Sequence, residues 1–173
     1  MFARTSRLTL RPGWPEDAPA LTAAIAHESV AFKLSRLPWP YTLDHAESWL
    51  TAPPENGGEH FLLIAHDRGP EPVLVGGMGL HPAEAEWAQG LEIGYWLTPA
   101  AWGRGYATEA GRALVDIARH ALGQRRLLGR HMVDNPASGH VLRKLGFVPT
   151  GQGRLPCLAR GEVVDCATFE LAL

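Results

Sequence analysis

The stretch Leu91–Ala110, LEIGYWLTPAAWGRGYATEA, constrains the fold more than any other in the chain. A strand-like run leads into a proline turn, then two glycines around an arginine, then the start of a helix. Side chains alternate along a strand, so Leu91, Ile93, Tyr95 and Leu97 share one face, and Glu92, Gly94 and Trp96 the other. Gly94 inside the strand predicts a bulge or a close backbone approach. Beyond the loop, Ala107, Ala110, Gly111, Leu114, Ile117, Ala118 and Ala121 recur at helical spacing, and Gly123 supplies a stop. A strand, a glycine loop and a helix N-terminus in that order make a seat for an anion. The first N–H groups of the helix are unpaired, its dipole is positive there, and glycines let phosphate reach the backbone. Arg104 adds charge-assisted bonds. The same glycines also serve a plain turn into a helix, and the motif alone leaves both readings open.

The rest of the chain places this unit in a mixed sheet. RLTLRP (residues 7–12) alternates and stops at Pro12-Gly13, as a first strand does. Residues 16–30 are Ala/Leu-rich and predict one helix. Residues 36–42 form a proline-broken loop, and Thr42 can cap a short helix to about Leu50. Residues 60–66 and 73–80 read as an antiparallel pair joined by DRGPEP. Residues 125–133 read as another strand. NPASGHVLRKLGF then reads as a short helix, with Asn135 as cap, Pro136 in the first turn and Gly146 as its end. Two final strands cover about 147–152 and 163–171. Seven strands and flanking helices in this order predict an α/β (α+β) architecture with a mixed, mostly antiparallel sheet, as one domain over residues 1–173.

Charge narrows the partners. The net charge of −2 hides an uneven spread: residues 1–100 carry 6 Lys/Arg against 12 Asp/Glu, and residues 101–150 carry 8 against 3. The positive block starts at the glycine loop, where an anionic partner is expected, although a solvated helix face gives the same count. A nucleic-acid partner is not expected, because the rest of the chain is acidic. The N-terminus lacks the apolar core of a secretory signal, and no run approaches the ~20 apolar residues of a membrane helix. Cys157 and Cys166 are too few for a disulfide framework and lack metal-type spacing. A cytoplasmic protein without a membrane partner is the expectation. The eight histidines form no HExxH pair, so no metal is expected.

Three anionic ligands compete for the loop. A P-loop needs Lys-Ser/Thr after its last glycine, and none is present. A dinucleotide fingerprint needs Gly or Ala at its third position, where Thr108 stands, and too little chain follows for a second nucleotide half. Coenzyme A is the third. LEIGYWLTPAAWGRGYATEA followed by NPASGHVLRKLGF resembles the GNAT acyltransferase superfamily, and more narrowly its RimJ/RimL-like N-acetyltransferase branch. RLTLRPGWPEDAPAL and LPWPYTLDHAESWL extend the likeness to nearly the whole chain. Gly105 and Ala107 fit the superfamily's loop pattern, while Trp102 stands where an Arg or Gln is common, as is usual in this branch.

The resemblance implies a GNAT fold whose sheet splays between the strands at 91–97 and 126–133. It also implies acetyl-CoA as acyl donor and direct transfer to a primary amine in a ternary complex. The diphosphate is expected on backbone N–H groups of Gly103, Arg104, Gly105, Tyr106, Ala107 and Thr108, beside Trp102. The pantetheine arm is expected along Trp96 and Leu97, with Asn135 opposite. Many relatives carry a tyrosine on the last helix that protonates the departing thiolate. Leu142 occupies that position here, and in this branch a serine, matched by Ser138, has the role. Glu92 is the candidate base, acting through water; an ordinary solvent-facing strand carboxylate is the plainer alternative. Ser138 also suits a plain early-turn serine bonded to Asn135. Trp39 and Tyr41, with Trp49, are candidates for the acceptor pocket, although aromatics of this kind also serve a core. The acceptor is a peptide N-terminus or a small-molecule amine. A catalytically inactive, coenzyme-A-binding sensor or scaffold is the alternative, and a homodimer stays open.

Overall fold

The computed structural model describes residues 1–53, 58–83 and 89–173. A sheet of eight strands runs in the order β1-β2-β3-β4-β5-β6-β8-β7. These are β1 (Ala3–Arg4), β2 (Leu8–Arg11), β3 (Glu59–Ala65), β4 (Val73–Pro82), β5 (Leu91–Leu97), β6 (Arg126–Met132), β7 (Val148–Cys157) and β8 (Glu162–Ala172). Every pairing is antiparallel except β5 with β6. The expected mixed, mostly antiparallel sheet with flanking helices is therefore found. β1 is an addition: two residues carry no legible alternation. β7 is longer than expected and holds Pro149 and Pro156, which an edge strand tolerates because its outer N–H groups need no partner.

The helices are α1 (Ala18–Ile25), α2 (Glu28–Ala31), α3 (Leu43–Thr51), α4 (Tyr106–His120) and α5 (Pro136–Lys144). The single helix expected over 16–30 breaks in two. Ala26 adopts φ −73° and ψ 60°, and His27 N–H donates to Ile25 C=O at 2.7 Å. That is an inverse γ-turn, and it redirects the chain so that Val30 and Ala31 are buried.

Both faces of the sheet are covered. On one, Leu8, Leu10, Phe61, Leu63, Leu80 and Ile93 pack with Tyr106, Ala110, Leu114 and Ala118 of α4 and Leu142 of α5. On the other, Leu62 and Ile64 pack with Leu21, Ile25, Val30, Tyr41 and Ala46 from the α1–α3 layer. Covering both faces shields the central strands: on β5, Leu91, Glu92 and Ile93 are buried, while residues 94–97 are half-buried.

The parallel pair β5–β6 registers only through Glu92–Leu128 and Ile93–Gly129. Beyond these residues the two strands part, as expected from the family likeness. β5 remains paired on its other edge with β4 as far as Gly76–Leu97. The opening therefore lies between β5 and β6 alone, below the N-termini of α4 and α5.

Candidate active site

The glycine loop joins β5 to α4 through a 3₁₀ turn at Pro99–Ala101. Trp102 is half-exposed, and its indole N–H donates to Leu97 C=O at 2.9 Å, which ties the loop to the end of β5. Gly103 and Gly105 have φ of +73° and +81°, and Arg104 between them does not have positive φ. Such alternation of hand turns successive N–H groups toward a common side. The first backbone bond of α4 is Glu109 N–H to Gly105 C=O at 3.0 Å. Among the described residues, the N–H groups of residues 103–108 have no protein acceptor. A Cβ on Gly103 would meet nothing within 4 Å, so the outer side of the loop is open. Tyr106 and Ala107 are buried and Thr108 half-buried, so their side chains turn inward or sideways while their amides remain at the helix start. The Tyr106 hydroxyl donates to Asp67, and burial, then Asp67, holds the phenol above its ordinary pKa.

Glu92 is 6 % exposed. The solvent-facing alternative for it therefore fails. Arg130 of β6 donates to both of its oxygens, Nε to Oε1 at 3.1 Å and Nη2 to Oε2 at 3.0 Å. His81 Nε2 on β4 lies 3.9 Å from Oε2. This fork-to-carboxylate pair sits where β5 and β6 still register, at the apex of the opening. Gly94 is two residues further on, on the same face as Glu92; a Cβ there would lie 3.1 Å from the His81 ring. Trp96 is half-buried and covers Gly77, where an added Cβ would lie 2.6 Å from its Nε1.

Ser138 lies in the first turn of α5 and does not bond to the Asn135 side chain. Its hydroxyl is 2.8 Å from the Tyr95 hydroxyl, and the Tyr95 hydroxyl also donates to Ser138 C=O at 2.9 Å. Tyr95 thus reaches from β5 to α5 across the mouth of the opening. Burial pushes its phenol up to about 12, against a smaller opposing effect of Ser138. Asn135 takes the N-cap position, but its side chain makes no cap bond, contrary to expectation. Only its backbone takes part: N–H to Met132 C=O at 2.8 Å, and C=O from Ser138 N–H at 3.2 Å.

The aromatic candidates separate. Tyr41 is buried in the core beneath α1 and α3, with its ring 5.5 Å from that of His45. Trp39 is partly exposed and meets Phe32 edge-on at 6.4 Å. Trp49 lies against His60. An open hollow of about 640 Å³ adjoins the start of α5, lined by Glu28, Ser29, Phe32, Lys33, Asp134 and Arg160 among others. Arg160 donates to Phe32 C=O and to Asp134 at 2.8 Å.

Reasoning from sequence missed Tyr95 and Arg130. The alternation gives the Tyr95 side chain a face, and a face does not reveal what a hydroxyl will reach. Arg130 had a readable signal: of the two arginines in RLLGRHM, it is the one inside the strand, behind Leu127, Leu128 and Gly129, and a charge there needs a buried partner. Among the described residues, no group of three or more His, Cys, Asp or Glu is placed to hold a metal. No described helix is long and apolar enough to cross a membrane.

Residues 7–148 match the family described as acetyltransferase (GNAT) domain. The chain is 27 % identical over 170 residues to the uncharacterized N-acetyltransferase YoaA of Bacillus subtilis, covering 96 % of this chain and 94 % of that one. It is 26 % identical over 170 residues to the phosphinothricin N-acetyltransferase of Streptomyces coelicolor, covering 98 % of each. A solved structure of RimL, the ribosomal L7/L12 α-N-protein acetyltransferase in complex with coenzyme A, superposes with a TM-score of 0.78 at 18 % identity, over 100 % of this chain and 98 % of that one.

Proposed function

This chain belongs to the GNAT acetyltransferase family, and on that premise we propose that it moves an acetyl group from acetyl-CoA to a primary amine, by direct transfer while both are bound. One observation carries the reading. Unpaired amides at residues 103–108 border an opening that begins where β5 and β6 lose register. The loop fits a diphosphate: its amides turn to one side, its outer face is open, and Arg104 is exposed beside it. Acetyl-CoA, when bound, supplies an activated thioester.

The chain's own residues then have distinct tasks. Amides 103–108 and Arg104 hold the diphosphate, with Trp102 fastening the loop to β5. Backbone groups of Trp96 and Leu97, on the edge that β6 has left, hold the pantetheine arm as an added strand would. Asn135 faces it with a side chain not spent on capping. Ser138 Oγ–H donates to the departing sulfur. Tyr95 stays protonated and swings its O–H from Ser138 C=O to Ser138 Oγ, donating to that oxygen and holding it in place. Glu92 accepts the amine's proton through water. Both of its oxygens already accept from Arg130, so that water uses their remaining lone pairs.

The demand on a base depends on the acceptor. An α-amine has a pKa near ~8 and is roughly a tenth free at pH 7, whereas lysine at about 10.4 is free at well under one part in a thousand. An α-amine of a peptide, or a small-molecule amine of similar basicity, therefore suits a carboxylate already engaged by arginine. Trp39 and the hollow beside Phe32 form the acceptor side. We assign the activity to a single cytoplasmic domain over residues 1–173; the two cysteines are free thiols.

The test is a thiol-release screen with acetyl-CoA against N-terminal peptides and small amines. Release that depends on an amine supports transfer. Thermal stabilisation by coenzyme A without turnover on any amine indicates a sensor or scaffold, and no stabilisation at all refutes both.

A further inference from the structure

The glycine loop is held from beneath by a side chain far from it in sequence. A tight turn, closed by Thr5 N–H to Leu8 C=O at 2.9 Å, delivers Arg7 under the start of α4. Glu109 in the first turn of that helix grips the turn. Its Oε1 accepts from Thr5 Oγ1 at 2.5 Å, Ser6 Oγ at 3.1 Å and Arg7 N–H at 2.9 Å. Its Oε2 accepts from Arg7 Nε at 2.7 Å and Nη2 at 2.6 Å. The guanidinium lies 4.8 Å over the ring of Tyr106. With two of its nitrogens committed to Glu109, the direction of the third is fixed. Nη1 donates to the carbonyl of Arg104 at 3.0 Å.

In a trans peptide the carbonyl and the following N–H point in opposite directions. Drawing Arg104 C=O toward Arg7 therefore turns Gly105 N–H away from it, to the open side of the loop. The φ of +81° at Gly105 belongs to the same arrangement. We propose that Arg7 is a positioning residue for the diphosphate loop: with Glu109 behind it, it sets the 104–105 peptide so that Gly105 N–H faces the ligand. This rests on the coenzyme A reading of the loop given above. Arg7 acts through geometry and not through its charge, which Glu109 neutralises at contact distance and Asp67 approaches at 3.9 Å. Lysine would keep the charge, but a single ammonium cannot serve both Glu109 and the Arg104 carbonyl.

Geometry and charge predict opposite signs for one variant. Glu109→Gln removes a negative charge from the helix end that receives the anion. A purely electrostatic loop would bind coenzyme A more tightly. A loop aimed by Arg7 binds it more weakly, because the guanidinium loses its anchor. We measure Kd by calorimetry for coenzyme A and for pantetheine, which has no diphosphate. We also follow the Gly105 amide proton by NMR, using wild type, Arg7→Lys and Glu109→Gln. The expected result is about a tenfold weakening for coenzyme A in each variant, equivalent to about 1.4 kcal/mol, with pantetheine unchanged. The downfield movement of the Gly105 amide on adding coenzyme A is also expected to be reduced. Unchanged or tighter coenzyme A binding by Glu109→Gln, or equal losses for both ligands, overturns the role of Arg7 and leaves the loop reading standing. Failure of the wild type to bind coenzyme A overturns the loop reading itself.

Discussion

Arg130 on β6, one residue past the last register of the parallel strands, and Glu92 on β5 form a buried two-point ion pair at 3.1 and 3.0 Å. The pair pins the apex from which the sheet opens. Its contribution is to geometry as much as to stability, because the desolvation of two charges offsets most of their attraction.

Removing one partner leaves the other charge buried. Arg130→Met is expected to destabilise the protein by about 3–5 kcal/mol, and Glu92→Leu with Arg130→Met by clearly less than either single change. Urea denaturation checks this; additive losses in the double variant would contradict it. In folded Glu92→Gln, turnover is expected to fall by about 10²-fold or more, most at low pH where less amine is free, with coenzyme A affinity retained. A rate unchanged across pH removes Glu92 from the chemistry.

Tyr95 and Ser138 act as a unit across the opening. Ser138→Ala is expected to lower kcat by about tenfold or more with KM for acetyl-CoA unchanged. Tyr95→Phe is expected to lower it less, and the double variant to match Ser138→Ala. Steady-state kinetics distinguish this from independent roles, in which the losses would multiply.

Burial raises the phenols of Tyr41 and Tyr95 to about 12. Below pH 10 they are protonated in both folded and unfolded chains, so their share of stability is complete. Between pH 10 and about 12 only the unfolded chain ionises, and stability is lost as pH rises, by up to about 2–3 kcal/mol per tyrosine. Tyr95→Phe is expected to flatten this loss in denaturation midpoints measured from pH 9 to 12. Equal slopes for variant and wild type would contradict the assignment.

Gly105→Ala tests conformation and not crowding. An added Cβ would meet only Arg7 Nη2, at an ordinary 3.6 Å, but φ of +81° costs an L-residue about 1–2 kcal/mol. The protein is expected to fold with its midpoint lowered accordingly and to bind coenzyme A more weakly, as the loop relaxes away from its amide-out form. Gly105→Val, with added bulk beside the amide, is expected to abolish binding. Calorimetry with coenzyme A decides both; wild-type affinity in Gly105→Val would contradict the reading.

What was legible in the sequence was punctuation and period. Gly103, Gly105, Gly123 and Gly146 mark ends that the structure keeps, and the alternation of LEIGYWL assigns its faces correctly. What was not legible depended on tertiary context. The break at Ala26–His27 occurs in an Ala-rich run without a breaking residue. For Glu92, period two marks a side but does not reveal whether that side is covered, so a buried base and a surface carboxylate read alike; only the fold shows the burial. Asn135 has the right type and position for a side-chain cap, yet makes none. The Arg7–Glu109 clamp joins residues 102 positions apart, a separation at which local pattern carries no information.

The most direct test of the central claim is a titration of ¹⁵N-labelled protein with coenzyme A, following the amides of residues 103–108. Saturable shifts concentrated in those amides and along Trp96–Leu97, with acetyl-CoA then releasing thiol in the presence of an amine, are the predicted result. Amides at 103–108 that stay unmoved at saturating coenzyme A would contradict it.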